Sequence, residues 1–297
     1  MKKQSLLYAL AATLLLATSC STDAEWGMNE GDAVVRINLS TPQMATRAYS
    51  DGTMATNLQY AVYDENKNLL PNLTVTDGVI NLSTEVDIRL TTGETYTLVF
   101  WADAVTAPYE VDFENKAMTI NYDGVVSNRE DLDAFYRDTT FTVTGRMEID
   151  VDLYRPFAQL NVGTNDYTAT TDAGYTVTQA GVTTNTYKTF NFIERTVADP
   201  VEVTYAMNTL PTEAFPVADY EYMAMNYLLM TNDKAVNDSI VITYTNGQKV
   251  KTRTVYNIPL QRNYRTNVFG QLITSDVNVN VEIIKDYVND YPEERTF

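Results

Sequence analysis

Short runs in which apolar and polar residues alternate are the feature that most limits the fold of this chain. In the run Ala33–Leu39, the side chains of Ala33, Val35, Ile37 and Leu39 point to one side and the polar ones to the other. A period of two residues is the pattern of a half-buried β-strand. Similar runs recur along the chain between Gly, Pro, Asn and Asp residues, which predicts an all-β fold of the sandwich type.

The predicted strands after the first one are short and closely spaced. In the first half they are 58–63, 74–75, 79–82, 87–90, 95–101, 141–143 and 147–153, and in the second half 157–162, 175–182, 186–193, 201–207, 221–230, 239–245 and 249–260. Turns are predicted at Asp77-Gly78 and Asn246-Gly247. Thr95–Trp101 is the most apolar run, so we expect it at the centre of its sheet.

One segment breaks the strand pattern. In Ser127–Asp138, Ser127 is followed three residues later by Glu130, which is the spacing of a helix capping box. Leu132 and Phe135 form a single apolar stripe. The segment therefore predicts one short helix that covers the end of a sheet.

The 297 residues leave room for two domains, each large enough to bury a core. Arg155-Pro156 interrupts a strand pattern, because proline cannot donate a hydrogen bond within a sheet. We therefore predict an N-terminal β-sandwich over residues 33–154 and a C-terminal β-sandwich over residues 155–297.

The first residues have the features of an export signal. Lys2 and Lys3 precede the apolar run Leu6–Ala17, which is shorter than the roughly 18 residues that span a bilayer. Cys20 is the only cysteine, and the residues before it resemble a bacterial lipoprotein cleavage site. Residues 1–19 are thus predicted to be a signal peptide, Cys20 the lipid-modified residue and 20–32 a tether. The alternative is an ordinary signal peptide with an incidental cysteine.

A loop follows the first strand. Pro42–Gly52 has the composition of a loop, and its one basic residue is Arg47, between Thr46 and Ala48. An arginine flanked by small residues in an exposed loop is accessible to a trypsin-like protease. The alternative is a solvated loop arginine without a function.

Composition excludes several functions. The chain has no histidine, which rules out Ser-His-Asp and Cys-His catalysis and nearly all catalytic zinc sites. No Gly-rich phosphate loop occurs, and the neighbouring carboxylates are no more than a chain with 39 acidic residues produces by chance. The net charge of −18 argues against nucleic acid as a partner. We expect no enzyme activity, no metal and no cofactor.

The C-terminal part contains a second alternating strand. In the run VNVNVEI, Val277, Val279, Val281 and Ile283 share one face, as cleanly as the apolar residues of the first strand do. Two strands of matched pattern at the two ends of a chain could fill the same kind of groove. The alternative is that each strand pairs within its own domain.

Several motifs together resemble those of one protein family. They are NIPLQRNYRTNVFG at 257–270, YRPFAQLNV at 154–162, FWAD at 100–103 and ATRAY at 45–49, following a lipoprotein-type signal. This set is similar to the fimbrillin-like surface proteins of Bacteroidota, which include the type V pilins. The resemblance implies two transthyretin-like β-sandwiches in tandem.

The resemblance also implies how such a protein assembles. Export as a lipoprotein acylated at Cys20 would be followed by cleavage of Arg47-Ala48 by an arginine-specific or trypsin-like protease. Loss of a plug strand carrying Val35, Ile37 and Leu39 would open a groove for the donor strand of another pilus subunit, for which the run from Val277 to Ile283 is the candidate. The location would be the outer membrane surface and, after maturation, the fimbrium.

Two functions therefore stay open at this point. One is a fimbrial structural or accessory subunit that serves adhesion and assembles by donor-strand exchange. This route would be wrong if the first strand were interleaved mid-sheet with no way to leave short of unravelling the core. The other is an uncleaved, lipid-anchored surface module that binds glycans or host ligands.

Overall fold

The computed structural model describes residues 31–42, 49–274 and 279–284. The first nine strands are β1 Asp32–Ser40, β2 Asn57–Tyr63, β3 Val75–Val79, β4 Ser83–Thr91, β5 Thr95–Asp103, β6 Tyr109–Asp112, β7 Ala117–Ile120, β8 Phe135–Thr142 and β9 Met147–Asp152. The others are β10 Phe157–Thr164, β11 Gln179–Asn191, β12 Val197–Thr209, β13 Glu221–Leu229, β14 Ala235–Thr245, β15 Val250–Leu260, β16 Arg265–Gly270 and β17 Val279–Ile284. With one α-helix in the described residues, α1 at Tyr167–Asp172, the predicted all-β class is confirmed.

Two sheets enclose the core of the first half. Sheet I has the strand order β4-β1-β9, and sheet II has the order β3-β2-β5-β8. Their facing side chains form one apolar cluster, in which Ile37 and Ile88 of sheet I meet Leu58 and Phe100 of sheet II. Because apolar and polar side chains alternate along these strands, the opposite face of sheet I carries mainly polar side chains.

Two further sheets enclose the core of the second half. Sheet III has the order β13-β10-β16-β17, and sheet IV has the order β15-β14-β11-β7-β6, with β12 also paired to β11. Leu160, Phe190, Leu228 and Ile242 are completely buried between them. β10 lies between β13 and β16 and is buried along its whole length.

β5 belongs to both cores. Leu98 and Phe100 face the first core, whereas Val99 and Trp101 face the second, and all four side chains are completely buried. A strand covered on both faces is apolar at consecutive positions, which accounts for the unbroken apolar run in its sequence. The prediction that it lies inside its sheet is confirmed, because it pairs with β2 and β8.

Strand pairing also crosses the predicted domain division. β7, from the first half, pairs with β11 through Thr119 opposite Thr189 and Met118 opposite Phe190. β6 extends the sheet from the other side of β7. The six-stranded sheet IV thus contains strands from both sides of residue 154.

The helix predicted in Ser127–Asp138 is wrong. A single 3-10 turn occupies Glu130–Leu132, and β8 begins at Phe135. The expected capping residues are used elsewhere, since the Ser127 hydroxyl donates to Asn226 and the Glu130 carboxylate accepts from the backbone N–H of Ser50. Tertiary hydrogen bonds have replaced the local ones that would start a helix.

Two other predictions from the sequence are wrong, one of a turn and one of a break between two strands. Asp77-Gly78 lies within β3, and Gly78 pairs with Leu58, whose carbonyl oxygen would be 2.8 Å from a Cβ at that position. The glycine therefore serves a close approach between strands rather than a turn. The predicted break between residues 182 and 186 is absent, because β11 continues through it. The hairpin turn at Asn246-Gly247 is confirmed, with Gly247 at a φ of 86°.

Candidate functional site

The first strand lies in the middle of sheet I. β1 pairs antiparallel with β4 over its full length, from Asp32 opposite Thr91 to Ser40 opposite Ser83. On its other side it pairs in parallel with β9, from Val35 opposite Met147 onward. Among the described strands, β4 and β9 are joined in a sheet only through β1. β1 therefore cannot peel away from a free edge, and its loss would leave two facing rows of unpaired backbone groups.

The inner row of β1 is part of the first core. Val35 and Ile37 are 0% exposed and Leu39 is 1% exposed. Burial of side chains of this size contributes about 1.5 to 3 kcal/mol each before entropic costs. The strands of sheet II pair with one another and not with β1, so the opposite wall of the core does not depend on β1 for its hydrogen bonds.

The outer row of β1 donates hydrogen bonds to carboxylates. The Arg36 guanidinium donates to both oxygens of Asp87 at 2.8 and 3.0 Å. The Asn38 amide donates to Glu148 at 2.9 Å and to Asp150 at 2.8 Å. The Ser40 hydroxyl donates to Asp152 at 2.7 Å, so the three outward positions in the second half of the strand are occupied by donors.

Charge accounts for the strongest of these contacts. The hydrogen bond and charge of the neighbouring guanidinium lower the pKa of Asp87, and the Asp87 carboxylate raises the pKa of Arg36. Glu85 lies 3.7 Å from the same guanidinium. All of these groups are exposed to solvent, so their net effect on stability is small and depends on salt.

The far end of the loop after β1 is held by a buried polar cluster. Arg155, completely buried, donates to both oxygens of Asp133 at 2.7 Å and to the carbonyl oxygen of Ser50 at 2.7 Å. The Ser50 N–H donates to Glu130 at 2.5 Å, and its hydroxyl lies 3.0 Å from the Tyr227 hydroxyl. Ser50 is therefore fixed by residues from both halves of the chain.

This cluster contains two carboxylates and one guanidinium. Burial, together with the charge of Asp133, raises the pKa of Glu130 to about 8. Burial also raises the pKa of Asp133, although Arg155 opposes that shift. The guanidinium lies over the ring of Phe135 at 4.5 Å from its centre. Folding therefore favours the protonated form of Glu130 near neutral pH.

The predicted site residues fall into three groups. Cys20, Arg47, Ala48 and Val277 lie outside the described residues. Val35, Ile37 and Leu39 form the buried row of β1. The third group, Val279, Val281 and Ile283, is half-buried on one face of β17.

β17 is attached differently from β1. Among the described strands it pairs with β16 alone, in antiparallel register from Val279 opposite Gly270 to Ile284 opposite Arg265, and lies at the edge of sheet III. Its burial is incomplete at every described position. The two strands belong to different sheets, so the fold does not bring the predicted plug and the predicted donor together.

Sequence reasoning missed the row of acids beside β1. Glu85 and Asp87 on β4, and Glu148, Asp150 and Asp152 on β9, alternate with apolar residues. That period of two places them on one face and was readable in the sequence. Their common neighbour was not readable, because nothing local says that β1 lies between these two strands.

The described residues contain no group of three or more potential ligands placed to hold a metal ion. In the same part of the chain, no helix has the length and hydrophobicity needed to cross a membrane. The arginines of the motif at 257–270 have structural contacts: Arg262 is buried, donates to the carbonyl oxygen of Met230 at 3.0 Å and lies over the ring of Phe190.

A family model described as "Family of unknown function (DUF6562)" matches residues 28–296, which is nearly the whole chain. The chain belongs to this family. No curated protein matches the sequence. The match of the family model includes β1, the residues that follow it and β17, so all described parts of the site lie within the DUF6562 region.

This DUF6562 chain is similar to several solved structures. One is described as a putative polysaccharide binding protein of Bacteroides thetaiotaomicron, with 14% identity, a TM-score of 0.49, and coverage of 80% of this chain and 91% of that one. Another is the fimbrial anchor protein Mfa2 of Porphyromonas gingivalis, with 12% identity, a TM-score of 0.47 and coverage of 87% and 100%. The tip fimbrial protein Mfa3 of the same organism has 12% identity, a TM-score of 0.46 and coverage of 85% and 98%.

Proposed function

We propose that this chain is a structural or accessory subunit of a surface fimbria that serves adhesion, has no enzyme activity and assembles by donor-strand exchange. In this proposal it is exported as a lipoprotein through Cys20 and cut between Arg47 and Ala48. The observation that carries the proposal is that β1 fills the first core with its inner row, while the strands of sheet II, the opposite wall of that core, pair with one another without β1.

The connections of β1 support removal of this strand as a unit. A cut between Arg47 and Ala48 falls between β1 and Ser50 in the sequence, and Ser50 is held by Glu130, Arg155 and Tyr227. The chain after the cut therefore stays fixed to both halves, whereas the segment before it is held only by non-covalent contacts. Such a cut separates a replaceable strand from an anchored remainder.

Replacement is favoured over simple loss. Without β1, the inner faces of β4 and β9 and their backbone groups would be exposed, a state that pairs readily with another strand. A strand that enters between them restores both rows of hydrogen bonds. Since donor and groove lie on different surfaces of a subunit, such contacts join subunits head to tail, and they extend as a filament where the rotation between subunits does not close a ring.

β17 is suited to donation by its weaker attachment. It pairs on one side only and is half-buried, in contrast to β1, which pairs on both sides. With Val277, the described residues Val279, Val281 and Ile283 would offer four apolar side chains at alternate positions. We propose this strand as the one given to the groove of another subunit.

Mass spectrometry of the N-terminus of surface-extracted protein tests the proposal. We expect a mature chain that starts at Ala48, and we expect Arg47→Ala to remain monomeric with its N-terminal segment attached. Arg146→Ala is the matched control, because Arg146 is an exposed arginine outside a strand and is not the proposed cleavage site. An acylated Cys20 as the sole mature N-terminus would refute cleavage and favour the uncleaved, lipid-anchored binding module, which a glycan array then tests.

A further inference from the structure

The outer side of the groove around β1 is acidic. Five carboxylates on the two neighbouring strands line it, and we call this row the acidic rim; its members are Glu85, Asp87, Glu148, Asp150 and Asp152. The basic residues on the same outer surface are Arg89, which lies opposite Val34, and Arg146, just before β9. Acids therefore outnumber bases at the positions that an entering strand would meet.

The outward side chains of β1 neutralise or hydrogen-bond the carboxylates of the acidic rim. Arg36 neutralises part of it through Asp87 and Glu85, while Asn38 and Ser40 donate hydrogen bonds to the three carboxylates of β9. No outward residue from Arg36 to Ser40 carries a negative charge. Like charges at directly opposed positions of a sheet are destabilising.

We infer that the strand which replaces β1 comes from a different protein chain and carries Arg, Lys, Asn or Ser at its outward positions. The inference rests on the proposed function and adds the chemistry of the partner. The inner row accepts any strand with alternating apolar side chains of suitable size, so the outer row is where partners are distinguished.

A second copy of this chain does not fit the rim. With Val279, Val281 and Ile283 in the three apolar positions and the direction of β1 kept, Glu282 takes the place of Asn38. That place lies between Glu148 and Asp150. β17 would thus place a sixth carboxylate beside the five of the acidic rim.

The reversed direction does not remove the conflict. Ile283 then takes the place of Val35, and Glu282 takes the place of Arg36, beside Asp87. In both directions the strand lacks a cation at the rim. The same β17 remains usable as a donor for a subunit whose groove has another charge, so the fimbria would alternate unlike subunits at this joint.

Peptide exchange into the cut protein tests the inference. The full exported chain is cut with trypsin, and mass spectrometry verifies that the new N-terminus is Ala48 and that the remainder is intact. Four fluorescent peptides are then added: residues 31–42, the same peptide with Arg36→Glu and Asn38→Glu, residues 277–284, and that peptide with Asn280→Arg and Glu282→Asn. At 20 mM NaCl we expect the peptide of residues 31–42 to bind at least tenfold more tightly than its doubly substituted form and than the peptide of residues 277–284. We expect the substituted form of 277–284 to bind at least tenfold more tightly than the unsubstituted one.

The outcomes separate the two proposals. If no peptide enters, including residues 31–42, strand exchange itself is wrong and the inference falls with it. If all four enter equally, or residues 277–284 bind as tightly as residues 31–42, exchange stands and the inference about the partner is overturned. At 1 M NaCl, where the Debye length is about 3 Å, we expect the differences among the peptides to shrink.

The intact chain gives a measurement that does not need exchange. Asn38→Glu places a carboxylate beside Glu148 and Asp150, while Asn38→Gln is the matched neutral control. We expect the Glu variant to melt several degrees below the Gln variant at 20 mM NaCl, and the two to converge at 1 M NaCl. Equal melting temperatures at low salt would overturn the idea that the rim selects against acids.

Discussion

Truncation of one inner side chain of β1 should weaken both the intact chain and the hold on the cut segment. Ile37 is completely buried, and it lies opposite Val86 on one side and Ile149 on the other. Ile37→Ala therefore leaves a cavity between three strands that are fixed by their backbone pairing. Such a substitution costs about 2 to 5 kcal/mol, because the contacts are lost and the site collapses only in part.

The same free energy has two measurable consequences. At about 3 kcal/mol, the melting temperature of the intact variant should fall by roughly 6 to 12 °C. In the protein cut after Arg47, the segment with β1 is held by non-covalent contacts alone. A loss of about 3 kcal/mol then weakens its retention roughly a hundredfold, since each 1.4 kcal/mol is a factor of ten.

Thermal unfolding and size-exclusion chromatography measure these two effects. The control is Val34→Ala, because Val34 points outward from the same strand and is only half-buried; we expect it to change neither quantity appreciably. If Ile37→Ala lowers the melting temperature but the cut segment dissociates at the wild-type rate, the buried row does not hold β1 in place. If the melting temperature is also unchanged, β1 does not form part of the core.

Three further predictions concern the buried cluster and the anchor. Because the pKa of Glu130 is raised from 4.5 to about 8, its contribution to stability is complete below pH 4.5 and is lost as pH rises through 8. Between pH 5 and 8.5, the free energy of unfolding of Glu130→Gln should therefore fall by about 4 kcal/mol less than that of the wild type. Urea unfolding at several pH values measures both, and an equal fall in the two proteins would contradict this prediction. Arg155→Met leaves the buried Asp133 carboxylate without its guanidinium and should cost about 3 to 5 kcal/mol in denaturant unfolding, with partial recovery in the double variant that adds Asp133→Asn. Cys20→Ser should leave the circular dichroism spectrum unchanged and abolish membrane association, and an unchanged membrane fraction would disprove lipid attachment.

The alternating pattern predicted the first strand correctly because its signal is local. Residues of β1 fall buried and half-exposed in strict turn, as the sequence indicates. β5 was placed inside its sheet for a related reason, since consecutive apolar residues need cover on both faces. Where each face of a strand has one environment along its length, the residue pattern alone predicts both the strand and its buried faces.

The failures arise where distant residues compete with local ones. Glu130 has the spacing of a helix cap but bonds to Ser50 and Tyr227, and the segment became a 3-10 turn. β11 passes through Thr183–Asn185, which the sequence analysis left outside its predicted strands, and this stretch pairs with β12, where the Thr183 hydroxyl lies 3.0 Å from that of Thr204. The strands that pair with β1 could not be predicted from the sequence either, since β9 lies more than a hundred residues further along the chain.

The shared strand β5 supplies a reason why the groove can stay open after β1 is gone. The floor of the groove is sheet II, whose strands remain paired with one another without β1. On the reverse side of that sheet, Trp101 packs in the second core with its ring 6.0 Å from that of Phe192, and its indole N–H donates to Asp103 at 3.0 Å. Loss of β1 therefore exposes one face of a sheet whose other face is still buried. A sheet held from behind keeps the spacing of its side chains, so an entering strand meets a formed surface and does not have to order one.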